Sequence, residues 1–550
     1  MRPPTRPFRR TREPLRALAT GAMTLVAALL ASSPLVADGE HQHDHDFTHP
    51  ITTSSPEAQV LFDRGLLTAW GFNHQEAARL FDRAIEHDPG CSMCFWGKAL
   101  VLGPNINAPL DAADYPTILE ALGNARELAP QATDRERAYI DALARRYGPE
   151  YQEDRAALDK AYADAMRRVA YADPGDLTAA TLFAEALMDT SPWDYWLPNG
   201  EPKTITEEFI AVLETVLRRD AGHPGAAHLL IHSVEKARPE LGVPAAEMLD
   251  RNPQATGHLV HMASHIYMRI GRYEDAARVN QRAIEEDDAY AAANEVPSSY
   301  VPYMLHNHHM RWAALGFLGR RAEARAEAEH IQQALPPAEA MAAGDGSGMQ
   351  HFWTVPLFDA VWFEEWDRVL AAPRPDPSLA YASAVWHWAQ GTALARTGQA
   401  AAGRERLDDL RGLLAGAELD GIAWGYNSVR SMLEIGRETL AGELAAAEGD
   451  LAAAVRAYAE ASRREDALVY TEPPPWLAPS RQRLAELQLA VGDPEAAELT
   501  LRSNLDVYPH NGRSLAALVK SLEAQGKTDQ ATGVRFRLAA AWKDADVELE

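Results

Sequence analysis

Nine of the nineteen histidines fall between His223 and His309, in three groups at helical spacing. They read HPGAAHLLIHSVE (His223, His228, His232), GHLVHMASHIYMR (His258, His261, His265) and YMLHNHHMRWAAL (His306, His308, His309). At about 100° per residue, His228, His232 and Glu235 share one helix face. So do His258, His261 and His265. His306 and His309 share a third, with His308 pointing elsewhere. Imidazole is the commonest protein ligand for transition metals, and pairs three or four residues apart bring two rings to one ion. The candidate metal ligands are therefore His228, His232, His258, His261, His265, His306 and His309. Glu235 is a ligand, an orienting partner or a general base. Copper and zinc head the metals that suit such donors, and the number of rings exceeds what one four-coordinate ion needs, which points to more than one ion. No Glu follows His228, so the HExxH pattern of zinc proteases is absent. The bland alternative is that these rings pack in a core or contact a peptide or protein partner in a groove.

Helices must position these faces. Ala, Leu, Glu and Arg dominate, apolar residues recur at i, i+3, i+4 and i+7, and no segment reads as a strand, so the expected class is all-α. A phrase repeats: a Gly ends one helix and a small residue follows five positions later in the next. It occurs as Gly271/Ala276, Gly319/Ala324, Gly449/Ala454, Gly492/Ala497 and Gly526/Ala531, with a looser copy starting at Gly71. Gly permits a tight turn, and the small residue lets paired helices approach. Gly492 and Gly526 are one tetratricopeptide period of 34 apart. Through this phrase and the closing Asp88-Pro89 and Tyr508-Pro509 pairs, the chain resembles tetratricopeptide repeat proteins, with degenerate repeats and insertions. The blocks GFNHQEAARLF, GPNINAP, HLVHMASHIYMRIGRY and YTEPPPW are similar to those of a group of exported bacterial tetratricopeptide proteins. That resemblance spans roughly residues 47–546 and implies fold and compartment, but no reaction. It also implies that first helices of successive pairs line a concave groove. Each His group lies in such a first helix.

The amino terminus carries six Arg and one Glu before an apolar run from Ala17 to about Ala37, an expected export signal. Losing residues 1–37 takes the net charge from −26 to −31. Such an acidic chain disfavours nucleic acid and anionic membrane surfaces as partners, and no stable membrane insertion is expected once the signal is gone. The expected division is signal (1–37), flexible His/Asp-rich tail (38–55), an amino-terminal solenoid with the His groups (56–335), a linker or loop (336–348) and carboxy-terminal repeats (349–546). The tail, with His41, His43, His45 and His49, is a loose metal-scavenging tract or a solvated terminus. Cys91 and Cys94 are the only cysteines, a packing pair, a local disulfide or a thiolate pair for Cu(I). The GPNINAP break (103–109) reads as a turn, or as amides facing the groove. His351 and His387 read as packed.

Overall fold

The computed structural model describes residues 47–549 except 198, 253, 254 and 256. The expected signal and most of the tail, with His41, His43 and His45, lie outside the described residues. Within them are twenty-five α-helices, three 3₁₀ turns and one two-residue hairpin pairing Ala423–Trp424 with Asn427–Ser428. The chain is an all-α helical repeat solenoid of tetratricopeptide type. Consecutive helices pack as antiparallel pairs: Pro224–Val234 with Pro239–Arg251, His258–Arg269 with Tyr273–Ala293, Val301–Leu318 with Arg321–Gln333.

The repeated phrase has the physical basis its residues suggested. Gly271, Gly319, Gly449, Gly492 and Gly526 all take left-handed φ, between 71° and 85°. Ala276, Ala324, Ala454, Ala497 and Ala531 are wholly buried where the paired helices meet. In the looser copy the left-handed residue is not Gly71 but Phe72, at φ 58°. A β-free backbone is not available to Phe, so this position is strained and must be held by its surroundings.

The described residues form one unit. The expected linker is packed: Ala338–Met341 is a short helix, and Met341 is buried beside Leu379 and Ala382. The carboxy-terminal repeats wind back onto the His-bearing ones. Asp546 accepts hydrogen bonds from the backbone N–H groups of Arg321 and Ala322, at 2.7 and 2.9 Å. Tyr508 stacks on Phe317, with centroids 5.3 Å apart. The Arg269 guanidinium ties the carbonyls of Glu235, Lys236 and Val507 together. The tail also differs from expectation. His49 is buried against Phe62 and Tyr139, and the Thr52 backbone N–H and hydroxyl both bond to the buried Glu136, so residues 47–55 belong to the folded body.

Candidate metal centre

Three first helices carry the site. Pro224–Val234 is buried throughout and His258–Arg269 from His258 to Met268, because each is sandwiched between neighbouring helices. Their histidines other than the N-terminal cap face inward together, while Tyr267 and Arg269 of the second helix bond elsewhere. Val301–Leu318 packs alongside and adds His306.

Two sets of three result. One nitrogen from each of His228, His232 and His258 lies within 4.8 Å of the others, and the same holds for His261, His265 and His306. Two nitrogens on one ion sit roughly 3–4 Å apart, so modest closure completes each set. The sets adjoin. His258 stacks on His261 at 5.3 Å between centroids, and His232 meets His265 at 5.5 Å.

The outer contacts fix which nitrogen of each ring is bare. His228 Nδ1 lies 2.5 Å from the Trp70 carbonyl oxygen, which can only accept, so Nδ1 carries the proton. His232 Nδ1 donates to Glu235 Oε1 at 2.9 Å. His265 Nδ1 sits 2.5 Å from Glu235 Oε2. His261 Nδ1 donates to Asn280 Oδ1 at 2.6 Å; the Asn280 amide is oriented by its own N–H bond to the Ala276 carbonyl at 2.8 Å. Each of these four rings therefore turns Nε2 inward, bare in His228 and His232 and shared in a mutual hydrogen bond by His261 and His265. His228 Nε2, His232 Nε2 and both nitrogens of His258 are buried without a hydrogen-bond partner. His261 Nε2 and His265 Nε2 face each other at 2.9 Å. At that separation the two nitrogens share either a proton, as an N–H···N hydrogen bond, or a metal ion.

The charge states agree with this. Burial, then neighbouring imidazoles, holds His228, His258, His261 and His306 well below the ordinary histidine range, so these rings stay neutral. Burial also works against protonation of His265, but the Glu235 carboxylate outweighs it and raises this one ring. Without metal, a proton on His265 thus fills the gap to His261. Burial pushes Glu235 up, yet the His265 charge and the bonds from both rings hold it far below the usual carboxylate range.

Aromatic side chains close the site. The Phe72 ring lies 4.4 Å from His228 and stacks on His232 and His258 at 6.0 and 5.5 Å. Its left-handed backbone is what aims it there. Trp193, from the connection between the helices Leu177–Met188 and Thr204–Arg219, meets His232 edge-on at 5.0 Å, and Tyr303 meets His258 at 5.0 Å. Asn107 of the GPNINAP turn joins these two covers, accepting from Trp193 Nε1 at 3.1 Å and donating to the Tyr303 hydroxyl at 3.3 Å. From the YTEPPPW block, the Tyr470 hydroxyl reaches Glu235 Oε2 at 3.3 Å. A narrow crevice lined by Trp193, Tyr195, Trp196 and Tyr470 reaches His232 and Glu235, with about 10 Å³ of free space.

Not every candidate joins. His309 lies apart, packed on Trp312, His351, Phe352 and Trp424, because its helix turns it toward the next repeat. His308 pairs with Glu327 and stacks on His330. His223 is the N-cap of its helix, its Nδ1 accepting the Ala226 N–H at 3.2 Å. His351 stacks on Trp424 and bonds the Tyr381 hydroxyl, and His387 pairs with Asp409. Cys91 and Cys94 form a disulfide. Sequence reasoning missed Phe72, Trp193, Tyr303 and Asn280. The first three carry only an aromatic signal shared with any core, whereas Asn280 sits on the buried face of its helix, where an amide needs a partner.

The fold and this geometry define a helical repeat protein with an inward-facing cluster of imidazoles. No protein-family model and no curated protein matches the chain. Among solved structures it is similar to the human IFIT1 dimer with m7Gppp-AAAA, at 12% identity and a TM-score of 0.33, over 89% of this chain and 95% of that one. It is also similar to the APC/C hetero-tetramer Cut9–Hcn1 (14% identity, TM-score 0.27, 89% and 94% covered) and to Naa15/Naa10 bound to HypK-THB (14%, 0.24, 89% and 89%). At those scores the superpositions carry nothing about the site.

Proposed function

We propose that this chain is an exported repeat protein holding a pair of transition-metal ions, copper or zinc, in two adjoining three-histidine sets. The observation that carries the reading is the inward lone-pair geometry. Four imidazole nitrogens on His228, His232 and His258 are buried without partners, and His261 Nε2 and His265 Nε2 have only each other, at 2.9 Å. Leaving one polar group unpaired in a dry site costs about 1–3 kcal/mol, so a metal-free core of this kind is maintained against a considerable penalty. Metal ions would satisfy these nitrogens at once. Three imidazoles leave an open position on each ion, the hallmark of a centre that exchanges or activates a small ligand.

This chain's own residues do the orienting. Glu235 sets the ring tautomers of His232 in one set and His265 in the other, so one carboxylate serves both ions. With both oxygens engaged and its acidity raised, Glu235 fits that orienting role rather than a general base. Asn280 does the same for His261. The crevice has room for about one water. It therefore favours metal holding and delivery, or chemistry on a substrate of a few atoms, over binding of a peptide at the centre. The Cys91–Cys94 disulfide supports an oxidising compartment and hence export.

The test is elemental analysis of the full chain after purification without chelator and dialysis against Cu²⁺ or Zn²⁺. Two tightly held ions per chain are expected. Replacing His261 and His265 together with Ala should abolish tight binding, while removing residues 38–46 should leave it intact. A chain that retains no ion, or one that loses it only on removing residues 38–46, would return the groove to a partner-binding scaffold.

A further inference from the structure

A second site lies in the carboxy-terminal half, remote in sequence from the histidines. First helices Gln350–Trp362, Ala380–Arg396, Val429–Ala447 and Ser480–Ala490 frame a cavity of about 100 Å³ there. Its walls are indoles. Trp388 and Trp476 pack at 4.8 Å between centroids and 67°, with Trp362 and Trp366 beside them. Cavities of this order admit a single aromatic ring.

The lining has a surplus of donors. Trp388 Nε1 is satisfied by the Thr439 hydroxyl at 3.0 Å. Trp476 Nε1 and the Thr392 hydroxyl are buried with no hydrogen-bond partner. Three guanidinium groups reach the same space. Arg396 is paired with Glu364 at 3.0 Å, and Arg483 with Glu443 at 2.8 Å. Arg513 is different: its Nε is buried without a hydrogen-bond partner, and among the described residues no carboxylate lies within ion-pair distance of it. The Phe363 ring lies 5.9 Å from its guanidinium carbon. Burial disfavours its charge, and Glu364 and Glu486 offset this only in part.

A ligand that answers these groups must offer a flat apolar body to the indoles, acceptors to an N–H group and a hydroxyl, and a negative charge to Arg513. A carboxylate supplies about four acceptor positions and the charge. We propose that this cavity binds a small aryl carboxylate, its ring among Trp362, Trp388 and Trp476 and its carboxylate toward Arg513. The site is independent of the metal reading and stands if that reading fails.

The experiment is a calorimetric titration of the full chain with phenylacetate and with phenylacetamide, repeated by indole fluorescence. The two probes share shape and differ in charge. Phenylacetate should bind and change the fluorescence, and phenylacetamide should bind at least about tenfold more weakly. Arg513→Gln should lose about tenfold or more for phenylacetate and leave the weak amide binding unchanged, with Arg513→Lys recovering part of the loss. Equal binding of the two probes, no binding of phenylacetate at millimolar concentration, or wild-type affinity in Arg513→Gln would each overturn the proposal. If Arg513→Gln does not fold, Arg513→Lys and the comparison of the two probes on the wild-type chain decide the matter.

Discussion

Glu235→Gln is the most informative single change at the histidine centre. The side chain keeps its size, but one oxygen becomes an amide that donates. Glu235 now faces two Nδ1 groups, His232 at 2.9 Å and His265 at 2.5 Å, and both carry protons there. A Gln can accept from only one of them, so the other ring must flip its tautomer or lose its partner. A flipped ring presents N–H, not a lone pair, to the metal. Loss of an orienting partner of this kind typically weakens metal affinity 10–100-fold, about 1.4–2.7 kcal/mol. Because the two rings belong to different three-histidine sets, the loss should spread to both ions. Asn280→Ala is the matched control. Asn280 touches only His261, so it should weaken the second set and spare the first. A competitive titration against a chromophoric chelator resolves the two binding steps, and circular dichroism shows whether each variant is folded. If folded Glu235→Gln binds both ions as tightly as wild type, the bridging role is refuted. Weakening of one step alone would confine the carboxylate to one set.

Acid should destabilise the metal-free protein through every histidine that burial keeps neutral, at the centre and outside it. Burial depresses both His49 and His223 from 6.5 to about 4. Each is neutral when folded and binds a proton more readily when unfolded, so stability falls as pH drops from about 6.5 toward 4. The upper bound is about 3 kcal/mol per ring. Urea unfolding across that window should show the slope, and His223→Asn, which keeps an N-cap, should lessen it by one ring's share. Gly271→Ala should cost about 2 kcal/mol or more, since φ is 77° and the new Cβ would stand 2.5 Å from the Pro509 carbonyl oxygen where the solenoid closes. Thermal melts would measure it, and a change within error would show that this closure is loose. Phe72→Gly should relieve backbone strain yet uncover His228 and His258, so metal should exchange faster with a chelator even if the melting point holds; an unchanged exchange rate would remove Phe72 as a cover.

Much of this was legible in the order of residues. Helical periodicity and the Gly-plus-five-Ala phrase carry the repeat fold, because left-handed turns and close helix approach depend on local residue types. Helical spacing also placed His228 with His232 and His261 with His265, since 3.6 residues per turn determines which side chains share a face. The sequence could not say where neighbouring helices point one another. His309 shares a face with His306 by spacing, yet the packing of Val301–Leu318 sends His306 to His261 and His309 to Trp424. Nor could it show that Glu235, three residues from His232, also reaches His265 on another helix. Asn280 and Trp193, 19 residues from His261 and 39 from His232, come to them only through packing. The orientation of each imidazole, and hence which nitrogen is bare, was decided by these long-range partners. Local geometry sets which residues can meet on one helix, whereas burial between helices sets which of them do.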